Sequence, residues 1–407
     1  MERNIQVKQS ALSVENSRIA LDQSKNNRLP NLNASMSDGF SFGQSQGRDG
    51  VYADQNTNTA NGSLNTSVPL FQGLRIYNDI QVKQFNLMAA SQDQDKVKND
   101  LSLNIASLYL TVLIQKELVK NAKAQMTLTE SLEKQTEALV NSGRESQAKL
   151  YEIRAQKANE QYAVTNAEKN LKLAVLDLAQ TLELENGVWF DIEEPNMELD
   201  IRTMDVPIVV FDEASNTLPN IKAEQYRLDG AKKALNVTKA DYFPRLSLGA
   251  STSTSYYYLL NTDNLNDPFS KQLSNNWRSA VNLSLSIPIF NRFEVRNSMN
   301  NSKIQISQQE MQLESAKKAL FKDIQRAILN ANSSKERYIA ANLSMQANQE
   351  SYRYIEERFS SGKATTFELQ KSKTDFANSL SERIQAKYEF LFNVKILDFY
   401  KGNDISL

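Results

Sequence analysis

The sequence predicts a mainly α-helical fold with a transmembrane β part, in which one structural unit occurs twice. The first observation is an internal repeat, because Val68-Pro-Leu-Phe71 recurs as Ile287-Pro-Ile-Phe290, 219 residues further on. The second is a helical periodicity that continues through long stretches with few Gly or Pro residues. The third is an alternation of apolar and polar residues in four shorter segments, which is typical of amphipathic strands.

Both halves of the chain contain the same predicted elements in the same order: a helix, two strands, a long helix, a turn with Gly, and a return helix. They cover about 1–27, 29–43, 62–71, 73–140 and 146–184 in the first half, and about 213–240, 243–258, 277–290, 292–358 and 365–400 in the second. The segment between them contains Pro195 and Pro207, which is typical of a linker. The sequence therefore predicts a first repeat over 1–185, a linker or equatorial segment over 186–212 and a second repeat over 213–407.

The long helices carry a coiled-coil pattern. Apolar residues follow one another at steps of four and three, with one polar interruption: Leu101, Ile105, Leu108, Val112, Gln115, Val119, Ala122 and Met126. The mean step of about 3.5 residues is the coiled-coil period. At ~1.5 Å per residue, a helix over 73–140 is roughly 100 Å long, so it must lie against helices of similar length.

The four alternating segments place apolar residues on one face and Ser, Asn or Thr on the other. The last of them alternates Val281, Leu283, Leu285, Ile287 and Ile289 with Asn282, Ser284, Ser286 and Pro288. This pattern fits an ordinary half-buried strand, but the very polar second face and the aromatic residues near the loops favour an outer-membrane strand. Four strands cannot close a barrel, so closure requires other copies of the chain. The polar segments at about 44–62 and 261–276 are then extracellular loops.

The composition excludes most kinds of catalytic and metal-binding site. The 407 residues include no Cys and no His, and the net charge is −1. Thiolate nucleophiles, zinc fingers and His-based triads are therefore impossible, and no basic excess favours nucleic acid. Glu193-Glu194 and Asp263 with Asp267 are carboxylate pairs without a His, Cys or Gly-patterned Ca²⁺ loop, so we expect neither catalysis nor a metal or cofactor there.

The chain resembles the TolC-type outer-membrane efflux channels over nearly its whole length. The resemblance rests on the duplicated plan, on Leu29-Pro-Asn-Leu32 and Phe243-Pro-Arg-Leu246, on Val68-Pro-Leu-Phe-Gln-Gly73, and on the two turns Asn141-Ser-Gly-Arg144 and Phe359-Ser-Ser-Gly-Lys363. It implies a homotrimeric 12-stranded β-barrel in the bacterial outer membrane, continued by a 12-helix α-barrel in the periplasm. It also implies a periplasmic adaptor and an inner-membrane efflux pump or secretion ATPase as partners. The N-terminus lacks an apolar signal segment, so export is inferred from the body of the chain.

The resemblance implies that the two turns, about 139–152 and 358–371, are periplasmic tips that dock the adaptor. The docking candidates are Asn141, Ser142, Gly143, Arg144, Ser361, Gly362 and Lys363. Gly143 and Gly362 are also plausible helix C-caps, because Gly tolerates left-handed backbone. Candidates for a pore constriction are Lys149, Glu152, Glu368 and Lys371, with Glu368–Lys371 or Lys149–Glu152 as mixed-charge pairs. The same four residues also fit solvated charges on exposed helices.

The function that follows is an exit duct for small molecules or for a secreted protein. The alternative is a soluble or periplasmic coiled-coil scaffold or adaptor protein. That alternative explains the heptads, but it does not explain four amphipathic strands at matched repeat positions. An enzyme is disfavoured further, because the sequence offers no nucleophile–base pair and no phosphate-binding loop.

Overall fold

A computed structural model describes residues 3–46, 50–184, 190–193, 206–260 and 266–403. The elements are α1 (Ile5–Asn26), β1 (Asn31–Ser41), β2 (Gln44–Gln46), β3 (Tyr52–Asp54), β4 (Thr57–Gln72), α2 (Arg75–Asn141), α3 (Gln147–Thr181), α4 (Pro207–Thr217), α5 (Pro219–Lys239), β5 (Arg245–Leu259), α6 (Phe269–Asn275), β6 (Arg278–Ser286), α7 (Glu294–Ser360) and α8 (Thr366–Tyr400). None of the helices in these ranges has an apolar stretch long enough to cross a membrane.

The predicted order of elements is confirmed, and the long helices repeat in exact register. Helices α2 and α7 have 67 residues each, and α3 and α8 have 35 each. In each pair the second helix begins 219 residues after the first, which is the offset of the repeated sequence motifs. The repeat is therefore kept in the helix boundaries as well as in the sequence.

Three boundary predictions are wrong. The helix expected over 213–240 is two helices, because Leu218 has extended backbone (φ −68°, ψ 133°) directly before Pro219, which starts α5. Strand β4 begins at Thr57 instead of 62, inside the segment expected to be a loop, and a short hairpin of β2 and β3 precedes it. Strand β6 ends at Ser286 instead of 290. Its residues have a neighbouring strand on one side only, whereas the equivalent end of β4 pairs with β5.

The chain forms two compact units, and each contains segments from both halves of the sequence. The first unit comprises Met1–Ser13, Ser91–Ala223 and Leu313–Leu407 and is helical. Its core gathers side chains from α2, α3 and α8, including Leu113, Leu178 and Leu391. The predicted coiled-coil seam is at least half-buried throughout, with Leu101, Val112 and Val119 fully buried.

The second unit comprises Val14–Ala90 and Glu224–Gln312 and contains the four-stranded sheet. The strand order is β1-β4-β5-β6 and all pairs are antiparallel. A register shift between Pro69 and Phe71 accommodates the proline, which cannot donate a ladder hydrogen bond. The edge strands expose large apolar side chains, since Met36 on β1 is 92% exposed and Val281 on β6 is 76% exposed.

The corner between a hairpin and the following long helix has the same backbone in both halves. Gly73 and Leu74 have φ values of 60° and 66°, and Arg292 and Phe293 have φ values of 51° and 62°. Gly is required at the first corner, because a Cβ at Gly73 would lie 2.7 Å from the Phe243 Cβ and 2.8 Å from the Ala240 carbonyl oxygen. The second corner carries Arg292 at the equivalent position, which is unfavourable for a left-handed backbone.

Candidate functional site

The two predicted tips have the same backbone design. The Gly143 N–H donates to the Val140 oxygen and the Arg144 N–H to the Leu139 oxygen, both at 2.9 Å. At the second tip the Gly362 N–H donates to the Phe359 oxygen at 2.9 Å and the Lys363 N–H to the Arg358 oxygen at 2.8 Å. Both are Schellman caps with Gly at positive φ, 74° and 71°. The predicted C-cap role of both glycines is therefore confirmed.

The docking candidates lie exposed on these caps. Asn141, Ser142, Gly143, Arg144, Ser361, Gly362 and Lys363 are all exposed. A Cβ at Gly143 or Gly362 would meet no atom within 4 Å, so only the backbone conformation requires glycine there. The tip surfaces are open to a partner, and their docking role stays a prediction.

The return helices begin with N-caps at equivalent positions. The Ser146 hydroxyl accepts from the Lys149 N–H, and the Thr365 hydroxyl accepts from the Glu368 N–H. At the second tip the Glu368 carboxylate also accepts from the Thr365 N–H at 2.7 Å, which completes a capping box. That backbone hydrogen bond holds the pKa of Glu368 below its usual range. Sequence reasoning missed this role, although Thr365-x-x-Glu368 before an apolar run is its signature.

Within one chain Lys149 and Glu368 have partners other than those of the expected mixed-charge pairs, and the constriction stays a prediction. The Lys149 ammonium lies 2.8 Å from the Glu145 carboxylate and 5.1 Å from the centre of the Phe359 ring, and Glu368 is bound to Thr365. Neither a Glu368–Lys371 pair nor a Lys149–Glu152 pair forms within the described ranges. Glu152, Glu368 and Lys371 are exposed. Glu145 lies directly before Ser146, the N-cap of α3, and its carboxylate reaches Lys149 in the first turn of that helix.

A buried polar cluster in the first unit lies deeper than the tip. Lys373 on α8 donates to the Gln125 carbonyl oxygen at 2.7 Å, to the Thr129 hydroxyl and to the Glu160 carboxylate at 2.9 Å. The Lys373 and Glu160 side chains are only 9% and 12% exposed. Burial lowers the pKa of Lys373, and the carboxylate of Glu160 counters that shift. This one side chain therefore joins α8 to both α2 and α3.

The cluster borders a cavity of about 370 Å³ lined mainly by polar residues of the same three helices. Several oxygens around it have no hydrogen-bond partner in the described part of the chain: Asn121 Oδ1, Gln125 Oε1, Glu160 Oε2 and Ser372 Oγ. The signal that could have located the cluster is Lys373 itself, which interrupts the apolar seam Leu369, Phe376, Leu380. A lysine at such a position sets the register of helix packing, and it costs stability unless a buried carboxylate, here that of Glu160, is paired with it.

The two hairpins differ at equivalent positions. In the first, the Lys157 ammonium lies 3.0 Å from the Glu133 carboxylate, and Arg154 binds Glu133 and Glu137. Lys157 donates a hydrogen bond that holds the pKa of Glu133 below its usual range. In the second hairpin the same positions hold Tyr352 and Phe376, whose rings stack at 6.0 Å. The repeat thus keeps its backbone and exchanges surface ion pairs for aromatic packing.

The carboxylate pairs considered for metal binding do not form a site in the described ranges. Glu194 and Asp263 lie outside the described residues, and Asp267 pairs with Lys271 at 2.7 Å. No group of three or more His, Cys, Asp or Glu residues suitable for a metal is found within those ranges.

Helical hairpins with capped tips in one unit, and an amphipathic four-stranded sheet with open edges in the other, are the features expected of an outer-membrane efflux channel. The family model of the outer membrane efflux protein matches residues 1–182 and 210–403. The chain therefore belongs to the outer membrane efflux protein family. It is an outer-membrane efflux channel with an extended periplasmic helical part, and a soluble scaffold is not favoured.

Individual relatives are distant in sequence and close in fold. The chain is 23% identical over 341 residues to toxin and drug export protein A of Aggregatibacter actinomycetemcomitans, covering 81% of this chain and 70% of that protein. The structure of CusC superimposes with a TM-score of 0.80 at 17% identity, over 98% of this chain and 90% of that chain. The CmeC outer membrane channel of Campylobacter jejuni gives a TM-score of 0.80 at 15% identity, over 100% and 84%.

Replacing Lys373 with Met should lower the stability of the helical unit by about 3–5 kcal/mol, because it leaves the buried Glu160 carboxylate without its cation. Adding Glu160→Gln should recover most of the loss. Arg154→Met is the matched control: it removes an exposed ion-pairing cation at the repeat-equivalent position and should have a much smaller effect. The free energy of unfolding of the wild type and of the three variants is measured by denaturant titration in detergent. An equal loss for Lys373→Met and Arg154→Met would contradict the buried cluster.

The lowered pKa of Glu368 makes the second N-cap acid-sensitive. The ionised Glu368 carboxylate stabilises the N-cap fully above the ordinary pKa of a glutamate, and this stabilisation is lost as the pH falls through the lowered pKa. Glu368→Gln keeps the acceptor and cannot titrate, whereas Glu368→Ala removes the acceptor. Hydrogen exchange of amides 366–370 should differ between wild type and the Gln variant in a pH-dependent way, and the Ala variant should exchange fastest at neutral pH. Identical pH profiles for wild type and Glu368→Gln would refute the capping box.

Proposed function

We propose that three copies of this chain form a continuous exit duct across the outer membrane and into the periplasm. Small molecules or a secreted protein pass through it, delivered by an inner-membrane efflux pump or secretion ATPase through a periplasmic adaptor. The observation that carries this proposal is the open four-stranded sheet, whose two edge strands expose both their backbone edges and large apolar side chains. The relative that is named for toxin and drug export is consistent with such a duct.

Closure by identical copies follows from the internal repeat. Inside one chain, β4 of the first half pairs with β5 of the second half, with Thr66 opposite Ala250. The same rule applied between chains pairs β6 of one copy with β1 of the next, and brings Leu285 opposite Met36 of the partner subunit. Both side chains are exposed in one chain, at 61% and 92%. Three copies then supply twelve strands and no free edge, which lipid requires. We also propose that the chain is divided into a first repeat over 1–185, a linker over 186–212 and a second repeat over 213–407.

Transport through the duct needs no catalysis, because the pump supplies the energy and the duct supplies a path. Selectivity would come from the radius and charge of the narrowest part. The tips are the best candidates for that part and for adaptor docking, because their exposed side chains are presented by rigid caps. In the single chain, Lys149 is engaged by Glu145, which leaves Glu152 and Lys371 as exposed charges for a constriction.

The proposal is tested by producing the full-length protein in a bacterial strain that lacks its own outer-membrane efflux channels. We expect the protein in the outer-membrane fraction, a detergent-extracted mass of three chains, and restored tolerance to exported drugs when the cognate adaptor and pump are supplied. A monomer in native mass spectrometry would overturn the trimer. A trimer that leaves drug tolerance and secretion unchanged would overturn the duct.

A Gly362→Val variant tests the tips. A β-branched residue at a φ of 71° costs about 1–2 kcal/mol, and that strain should distort the second cap without affecting the sheet. We expect export to fall while the trimer stays intact. Gly362→Asn is the control, because Asn tolerates left-handed backbone and should retain most export. Normal drug tolerance with Gly362→Val at wild-type abundance would argue against docking at this tip.

A further inference from the structure

The corner after β4 is covered by the turn that leads into β5, and an ion pair fixes the two together. The Asp241 carboxylate of that turn lies 2.6 Å from the Arg75 guanidinium at the start of α2 and 2.7 Å from that of Arg245. Close packing accompanies the ion pair, because Gly73 lies directly against Phe243 and Ala240. We name this contact the internal junction: corner Gly73–Arg75 beneath turn Ala240–Arg245.

The chain contains the two parts of a second junction, but on opposite edges of the sheet. The corner Arg292–Glu294 follows β6, and has the same pair of positive-φ residues as Gly73 and Leu74. The turn Asn26–Asn31 precedes β1, and its Leu29-Pro30 corresponds to Phe243-Pro244. Within one chain these two parts lie at the two ends of the strand order β1-β4-β5-β6. Among the described residues, no ion pair involves Arg28, Arg292 or Glu294.

We propose that the corner Arg292–Glu294 of one subunit packs beneath the turn Asn26–Asn31 of the partner subunit and forms an intersubunit ion pair there. The inference rests on the proposed oligomer and names the contact that holds its subunits in register. Glu294 takes the place of Arg75, and Asn27 of the partner subunit takes the place of Asp241. Arg28 of the partner subunit supplies the cation, since among the described residues of one chain its guanidinium donates to the Lys25 carbonyl oxygen alone.

The charges of the two junctions are opposite, which gives the pairing its specificity. The internal junction has a cation on the corner and an anion on the turn, whereas the intersubunit junction has Glu294 on the corner and Arg28 on the turn. A wrong pairing of β6 with the β5 turn of another chain would bring Glu294 against Asp241. A wrong pairing of β4 with a foreign β1 turn would bring Arg75 against Arg28. Since the two halves have interchangeable backbones, like-charge repulsion separates the correct pairing from the wrong ones.

Arg292 makes the intersubunit junction wider than the internal one. At the internal junction even a methyl group at Gly73 would overlap Phe243. The equivalent residue of the turn is Leu29, which is 63% exposed in one chain and smaller than Phe243. Leu29 has a Cβ, as Phe243 does, and Arg292 has one where Gly73 has none, so the two segments must lie further apart at the intersubunit junction. The equivalent Cβ–Cβ distance at the internal junction is 2.7 Å, so a somewhat wider intersubunit junction would bring the Cβ atoms of Arg292 and Leu29 of the partner subunit near the ~3.5–4.5 Å that a disulfide spans.

A cysteine cross-link tests the location of the junction, and the natural absence of Cys makes the experiment clean. The double variant Arg292→Cys with Leu29→Cys, oxidised in the extracted oligomer, should give covalent dimers and trimers on denaturing electrophoresis. Each single variant should give none. Thr66→Cys with Ala250→Cys is the matched internal control, because these residues are opposite in the β4–β5 pair and should link within one chain. A trimer that does not cross-link overturns the junction alone, whereas the absence of any oligomer overturns the proposed function as well.

A charge exchange tests the ion pair. Glu294→Arg brings two cations together and should lower the dissociation temperature of the trimer and increase the monomer fraction. Adding Asn27→Asp recreates the Arg75–Asp241 arrangement of the internal junction at the interface, and should restore the trimer. Asn27→Asp alone should weaken it, because the new carboxylate faces Glu294. Additive effects of the two substitutions, with no rescue in the double variant, would overturn the intersubunit ion pair.

Discussion

The structure depends on one constraint: a backbone N–H or C=O group in lipid must find a hydrogen-bond partner inside the protein. A four-stranded sheet leaves two edges, and both are exposed here together with apolar side chains that water does not favour. Pairing with identical copies of the chain gives both edges hydrogen-bond partners and covers their apolar side chains, without a further component. Two of the long helices, α2 and α7, directly follow strands of this sheet in the chain, so the repeat of the strands is continued in the helices.

The helices could be predicted from the sequence more accurately than the ends of the elements. A coiled-coil seam is a pattern within one element, so Leu101, Val112 and Val119 could be recognised and are buried as expected. The ends of elements depend on less local causes. Pro219 divides a predicted helix, because a proline favours extended backbone at the residue before it, here Leu218. Strand β6 ends early and has a neighbouring strand on one side only, and no local sequence pattern reports how a strand is paired.

The site was predictable only in its backbone. Gly143 and Gly362 were recognised as caps because positive φ strongly favours glycine. The partners that the charged residues near them have within one chain were not predicted, because side-chain partners depend on rotamers and on local capping. Glu368 binds Thr365 and Lys149 binds Glu145. The Lys373 cluster needs contacts between α8, α2 and α3 that lie more than 200 residues apart in sequence, although a lysine in an apolar seam marks its position.

The matched Schellman caps have a consequence for symmetry. Three chains with two caps each would present a ring of six tips whose backbones are the same but whose side chains are of two kinds, one with Lys149 beside Glu145 and one with Glu368 beside Thr365. A partner that recognises the backbone shape alone would find six equal positions, and a partner that recognises side chains would find three. The stoichiometry of any complex at this end of the duct therefore reports which of the two features is recognised.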